Sequence, residues 1–67
     1  MISKTIELNS KYYVKITYHN DKITRLYTLY NNNDVQIVSS FNRDSFLLQA
    51  RKYVRITNNN ELLIASI

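Results

Sequence analysis

The sequence contains neither glycine nor proline, so every tight turn has to be built from other residues. Asparagine is the best substitute, because it adopts the left-handed backbone conformation of tight turns more readily than other non-glycine residues. The chain has nine asparagines, six of them in two triplets at positions 31–33 and 58–60. We therefore expect both triplets to form turns.

Each triplet lies in a longer pattern that occurs twice. Residues 25–39 and 52–66 both place three asparagines and an acidic residue between two strand-like runs. The origin is either a true duplication or coincidence in an asparagine-rich chain. Under both explanations the pattern predicts two β-hairpins.

The first part of the chain has the alternating pattern of β-strands. In the clearest example, Tyr12, Val14, Ile16 and Tyr18 alternate with more polar residues at the two-residue period of a half-buried strand. Short connections between the strands favour an antiparallel meander. The predicted strands are Ile2–Leu8, Tyr12–Tyr18, Ile23–Tyr30 and Val35–Ser39, with turns at Asn9-Ser10 and His19–Lys22.

A helix is predicted near residues 42–53. Apolar residues recur there at intervals of three and four, the spacing of a helical stripe. Asn42 or Asp44 is expected to cap its start, with Arg51 and Lys52 in its last turn. A second hairpin, Val54–Thr57 with Glu61–Ser66, would close the chain. The predicted fold class is α+β: a small antiparallel meander of about five to six strands, with one helix packed on one face, in a single domain spanning 1–67.

The composition predicts association with a partner. A chain of 67 residues is near the lower limit for a stable core, and with no cysteine and one histidine neither disulfides nor a structural metal is expected to support it. Self-association remains. The sequence is 45% apolar and contains six tyrosines, so some of this surface is expected to meet another protein or a second copy. The candidate oligomer or partner face is Leu26, Tyr27, Tyr30 and Leu63.

No enzyme, cofactor or metal is predicted. Nucleophilic catalysis needs a general base to activate the nucleophile, and the chain has only one histidine for that role. The five carboxylates lie at positions that turns and helix caps explain. Phosphate-binding loops of the familiar kinds require glycine, which the chain lacks.

Two basic clusters are candidate contacts for an anion or a partner. A phosphate could bind in either cluster, with tyrosine or arginine stacking on a base. A solvated rim is the other interpretation, because the net charge is only +4 and nucleic-acid binders usually carry denser basic stripes. The clusters are Arg51, Lys52, Tyr53 and Arg55, and Lys11, Tyr13 and Lys15.

Together these features favour a small non-enzymatic protein-interaction module. In size and composition the chain is typical of phage or mobile-element accessory proteins that bind and inhibit or modulate a host protein. One alternative is an oligomeric binder of an anionic ligand, either single-stranded nucleic acid or a nucleotide signal, and another is a structural or assembly subunit. We expect a cytoplasmic protein without membrane contact, since the N-terminus lacks the apolar core of a signal peptide.

Overall fold

The described residues form a four-stranded antiparallel sheet followed by two short helices. The structure, a computed structural model, describes residues 2–20, 23–55, 57 and 60–67. This confirms the α+β class, but the described residues form four strands rather than the predicted five to six. The elements are β1 (Ile2–Glu7), β2 (Tyr12–Tyr18), β3 (Arg25–Asn31), β4 (Gln36–Ser40), α1 (Arg43–Ala50) and α2 (Glu61–Ala65).

The sheet is a meander in which each strand pairs with the next along the chain. Residues directly opposite each other share a face of the sheet, and one such row runs Ile6, Val14, Leu29 and Val38. All four of these side chains are buried. A bulge at Ile37 shifts the register between β3 and β4 beyond this row.

Both helices lie on the face that carries this buried row. The α1 residue Phe46 is fully buried, and its ring lies 5.7 Å from that of Tyr27. Ile64 and Ile67, in and after α2, line a small internal void together with Val14. The core thus lies between the sheet and the helices. Neither helix has the length and apolar character needed to cross a membrane.

The predicted strands differ from the observed ones mainly at their ends. β2 has the predicted bounds, and β1 stops one residue early because Leu8 belongs to the β1–β2 turn, where its N–H donates to the Tyr12 carbonyl. β3 begins at Arg25 rather than Ile23, and β4 at Gln36 rather than Val35. Of the predicted His19–Lys22 turn, residues 21 and 22 lie outside the described residues.

Helix α1 is shorter than predicted. Of the two predicted capping residues, Asn42 is the N-cap, because its Oδ1 accepts the Ser45 N–H at 2.9 Å. Asp44 lies in the first turn of the helix. The helix ends at Ala50, so Arg51 is its C-cap and Lys52 follows in a turn, rather than both lying in the last helical turn. The helix ends there because the next hydrogen bonds join residues three apart instead of four, as from the Lys52 N–H to the Gln49 carbonyl.

The first asparagine triplet forms the predicted hairpin turn, between β3 and β4. The Asn31 Oδ1 accepts N–H groups from Asn33 at 2.9 Å and from Val35 at 3.0 Å. The left-handed residue is Asp34, with φ of 62°, and not an asparagine. Asparagine thus shapes this turn through its side chain, while an aspartate takes the strained backbone position.

The second triplet does not form the predicted hairpin. Glu61–Ala65 is a helix rather than a strand, and Val54, Arg55 and Thr57 are not in a strand. Residues 56, 58 and 59 lie outside the described residues. Burial explains why this segment is a helix. Ile64 and Ile67 are buried with the three-residue spacing of a helical turn, whereas a strand would bury alternate residues.

Candidate functional site

The sheet face that points away from both helices, here called the open face, is the candidate site. No helix of the described residues packs on it. The register places Tyr13 beside Tyr30, Lys15 beside Thr28, and Thr17 beside Leu26. The open face consists of Ser3, Thr5, Glu7, Tyr13, Lys15, Thr17, Leu26, Thr28, Tyr30, Gln36 and Ser39.

Two stacked tyrosines form the most prominent feature of the open face. The rings of Tyr13 and Tyr30 are nearly parallel, at 14°, with centroids 5.1 Å apart. The Tyr13 hydroxyl donates a hydrogen bond to Asp34 Oδ1 at 2.8 Å. Stacking fixes both rings and the hydrogen bond fixes one of them, so these half-buried side chains lose little conformational freedom when a partner covers them.

The β3–β4 turn brings Asp34 to this position. Asn31 closes the turn through its side chain, and its carbonyl accepts the Asp34 N–H at 3.0 Å. In the resulting left-handed conformation, the Asp34 carboxylate accepts a hydrogen bond from the hydroxyl of Tyr13 on β2, the strand next to β3. The hydrogen bond raises the pKa of the Tyr13 hydroxyl, and the nearby negative charge raises it further.

The open face is close to electrically neutral. Lys15 lies at its centre, with Glu7 and Asp34 toward the end that carries the tyrosines. Polar contacts within it include Thr28 Oγ1 and Ser39 Oγ at 3.5 Å. A surface of this kind, aromatic and hydroxylic with balanced charge, suits a protein surface better than a polyanion.

The structure separates the predicted site residues into several groups. Tyr13 and Lys15 share the open face with Leu26 and Tyr30, although the sequence interpretation assigned these two pairs to different sites. Lys11 is exposed and immediately precedes β2.

Two members of the predicted partner face lie elsewhere. Tyr27 belongs to the core face, where it is 5% exposed and stacks on Phe46, so its assignment to a partner surface is corrected. Leu63 is exposed but lies on α2, on the other side of the sheet from Tyr30.

The other basic cluster, here called the basic turn, follows α1 on the helix side of the molecule. It consists of Arg51, Lys52, Tyr53 and Arg55, all of which are exposed. Within the described ranges the one ion pair joins Arg43 to Asp44, at 3.6 Å, so no carboxylate there forms an ion pair with the basic turn. The sheet separates this cluster from Tyr13 and Lys15.

Sequence reasoning missed two contributors to the open face. Asp34 was interpreted only as a turn residue, and the acidic residue that follows each triplet is the one signal that pointed to it. Thr28 was not singled out, yet it is 4% exposed at the centre of the face. Its burial depends on its cross-strand neighbours, which a single strand's pattern does not identify.

No model of a known protein family, no curated protein sequence and no solved structure matches this chain. The geometry of the open face and of the basic turn is therefore the basis for assigning a function to this chain.

Proposed function

We propose that this protein is a non-enzymatic interaction module that binds another protein through the open face and blocks or modulates that partner. The observation that carries the proposal is the stacked Tyr13–Tyr30 pair, held by Asp34 on a sheet face that neither helix covers. A host protein bound by a phage or mobile-element accessory protein is the partner class we favour.

Binding through the open face is favoured by a low entropy cost of ordering and by desolvation of aromatic surface. Tyrosine offers a large apolar ring with a polar end, and it is enriched at the energetic centres of interfaces. Because the sheet backbone and the stacked pair are ordered before binding, association costs less ordering than it would on a loop. Leu26, opposite Thr17, adds partly exposed apolar surface farther along the same face.

A matched pair of variants tests this role. The double variant Tyr13→Ser/Tyr30→Ser removes both rings from the open face, while Tyr53→Ser removes an exposed ring from the basic turn. We expect a host protein captured by the wild type and by Tyr53→Ser to be lost with the double variant. With that purified partner, affinity should fall at least about 30-fold, as expected for loss of an interface hot spot.

Circular dichroism and thermal unfolding of each variant would establish that the fold is retained. Equal capture by the double variant and the wild type would contradict the proposal, as would the absence of any specifically captured protein.

Self-association through the same face is part of the proposal. A second copy could cover Tyr13, Tyr30 and Leu26 in the absence of the partner. Size-exclusion chromatography with light scattering should then show an oligomer that the Tyr13→Ser/Tyr30→Ser variant converts to a monomer. A wild type that is monomeric at high micromolar concentration would exclude self-association but would not contradict the proposed binding of a partner protein.

A second candidate function is binding of an anionic ligand at the basic turn. The supporting observation is that Arg51, Lys52 and Arg55 are exposed beside Tyr53 without a carboxylate partner among the described residues. We expect Arg51→Glu/Arg55→Glu to abolish binding of a labelled oligothymidylate at low salt, measured by fluorescence anisotropy. Lys4→Glu/Lys11→Glu, with the same change in net charge elsewhere, should retain most of it. The absence of binding by the wild type to this probe and to a nucleotide panel would dismiss the candidate.

A further inference from the structure

Strand β1 is an edge of the sheet, and in the described part of the chain no strand pairs with its outer side. It pairs with β2 in regular register over its whole length, Ile2–Glu7. The opposite edge, β4, is shorter, is interrupted by the bulge at Ile37, and has α1 packed against it. Bulges and covering helices are common ways of blocking a sheet edge, and β1 has a regular ladder instead.

The backbone groups that β1 leaves unpaired can be identified from the ladder. Leu8 donates its N–H to the Tyr12 carbonyl, so hydrogen-bonded pairs alternate along the hairpin from that point. It follows that Ser3, Thr5 and Glu7 direct their N–H and carbonyl groups away from β2. They form a row of donors and acceptors onto which another strand can add.

The side chains between these groups form a specific pattern. Lys4 is directly opposite Ile16, so it projects on the helix-bearing side of the sheet, between Ile2 and Ile6. Ile2 is 75% exposed, and Lys4 is exposed without an ion-pair partner in the described ranges. A charge in this position on an edge strand opposes indiscriminate strand pairing.

Lys4 also disfavours a second copy as the added strand. Antiparallel self-pairing that matches Ile2 with Ile6 of the other copy places the two Lys4 side chains directly opposite each other. Like charges in that arrangement are destabilising. Shifting the register by two residues instead places Lys4 against Ile6 and covers the ammonium with an apolar side chain.

We propose that β1 is a docking edge for an extended antiparallel segment of another protein, in which the residues facing Ile6, Lys4 and Ile2 are apolar, acidic and apolar. These three positions are non-hydrogen-bonded pairs on the outer edge, where facing side chains approach most closely. The acidic residue neutralises Lys4, and its apolar neighbours cover Ile2 and extend the Ile6 side of the core. The edge uses the outer backbone groups of Ser3, Thr5 and Glu7, whose side chains lie on the open face, but the proposal does not depend on the function of that face.

A peptide pair tests the charge preference directly. The probe is Thr-Val-Thr-Glu-Thr-Val-Thr with blocked ends, and the control replaces its glutamate with lysine. Titrated into the isotope-labelled full chain, the first peptide should shift the NMR amide signals of Ser3, Thr5 and Glu7, with a Kd on the order of 1 mM. It should bind about fivefold more tightly than the lysine peptide, the size expected for a partly exposed ion pair.

Charge reversal in the protein provides the second measurement. Lys4→Glu should invert the preference between the two peptides, whereas Lys15→Glu, a lysine on the open face of the neighbouring strand, should leave it unchanged. Equal affinity for both peptides would overturn the proposal, and so would the same inversion in Lys15→Glu. The absence of any β1 shift at about 5 mM of either peptide would do so as well.

Discussion

At the scale of single residues, asparagine side chains close turns in a chain that has no glycine. The Asn9 Oδ1 accepts the N–H groups of Lys11 and Tyr12 at 2.8 and 2.9 Å, and Asn31 acts in the same way at the β3–β4 turn. A side-chain carbonyl satisfies backbone donors that would otherwise need a water or a strained turn. Asp34 is the one described residue that adopts the left-handed conformation.

Replacing Asn31 with alanine should destabilise the protein. The change removes the acceptor of two backbone N–H groups at an exposed turn, where water partly replaces it, so we expect a loss of about 1 kcal/mol in the free energy of unfolding. Asn32→Ala, in the same turn, is the control and should change it by less than about 0.5 kcal/mol. Urea denaturation measures both. Equal losses in the two variants would contradict this role of Asn31.

The Tyr13–Asp34 hydrogen bond predicts a pH dependence. It raises the pKa of Tyr13 above its ordinary value of 10.0, because the bond requires the hydroxyl proton. A pKa that is higher in the folded state means that the stabilisation is fully present below pH about 10 and is lost as the pH rises through the folded value.

Removing the acceptor charge should reverse this shift. Asp34→Asn is expected to lower the Tyr13 pKa toward its ordinary value. NMR titration of labelled tyrosine rings measures this pKa. Asp44→Asn, at an exposed carboxylate of α1, should leave it unchanged. A Tyr13 pKa that is the same in the wild type and in Asp34→Asn would refute the role assigned to Asp34.

At the scale of elements, the sequence predicted structure best where a period extends over a whole segment. β2 has seven residues in strict alternation, and its predicted bounds are correct. The run from Glu61 to Ala65 is too short to distinguish a strand from a helix by its period, so the repeat decided the prediction and was misleading. Packing of Ile64 and Ile67 beside the sheet determines the helix, and that contact is not visible in the local sequence.

The open face was predictable only where the alternation of a strand assigns its residues to one side of the sheet. Alternation placed Tyr13 and Lys15 on one side of β2, as observed. β3 is apolar on both faces, so its pattern did not show whether Tyr27 or Tyr30 would meet the helix. Asp34 depends on one backbone torsion angle in a turn, which an alternating pattern does not specify.

Asn60 ties the start of α2 to the preceding segment. Its side chain is 3% exposed, with Oδ1 accepting the Thr57 N–H at 2.8 Å and Nδ2 donating to the Arg55 carbonyl at 3.1 Å. Asn60→Ala removes two partly buried hydrogen bonds to the backbone, so we expect a loss of about 2 kcal/mol in the free energy of unfolding. The cap variant Asn42→Ala should cost about 1 kcal/mol.

Hydrogen exchange distinguishes these two changes. Asn60→Ala should accelerate exchange mainly at the Ile64 amide in α2, while Asn42→Ala should act mainly on α1. Uniform acceleration across the chain in both variants would indicate global destabilisation and contradict a local role for Asn60.

At the scale of the whole molecule, stability depends on one small core between the sheet and the helices. Phe46 is its largest fully buried side chain. Truncation of a buried phenylalanine typically costs about 3–5 kcal/mol, comparable with the entire stability of a domain of this size. Phe46→Ala should therefore be largely unfolded at 25 °C, as measured by circular dichroism.

An exposed leucine of the same helix provides the control. Leu48 is 68% exposed, so Leu48→Ala should retain the native spectrum and nearly the wild-type urea midpoint. A folded Phe46→Ala protein with an unchanged midpoint would show that the core does not depend on this ring.

The order of the elements along the chain also affects how the protein folds. Among the described residues all four strands precede both helices, and each strand pairs with its sequence neighbour. Such local pairings form quickly. The meander can therefore form before the helices pack on it, while Val14, Ile16 and Leu29 still face water. Until Phe46 and Ile64 cover it, the sheet exposes apolar surface on its inner face and an unpaired strand at its edge, so this is the stage most vulnerable to aggregation.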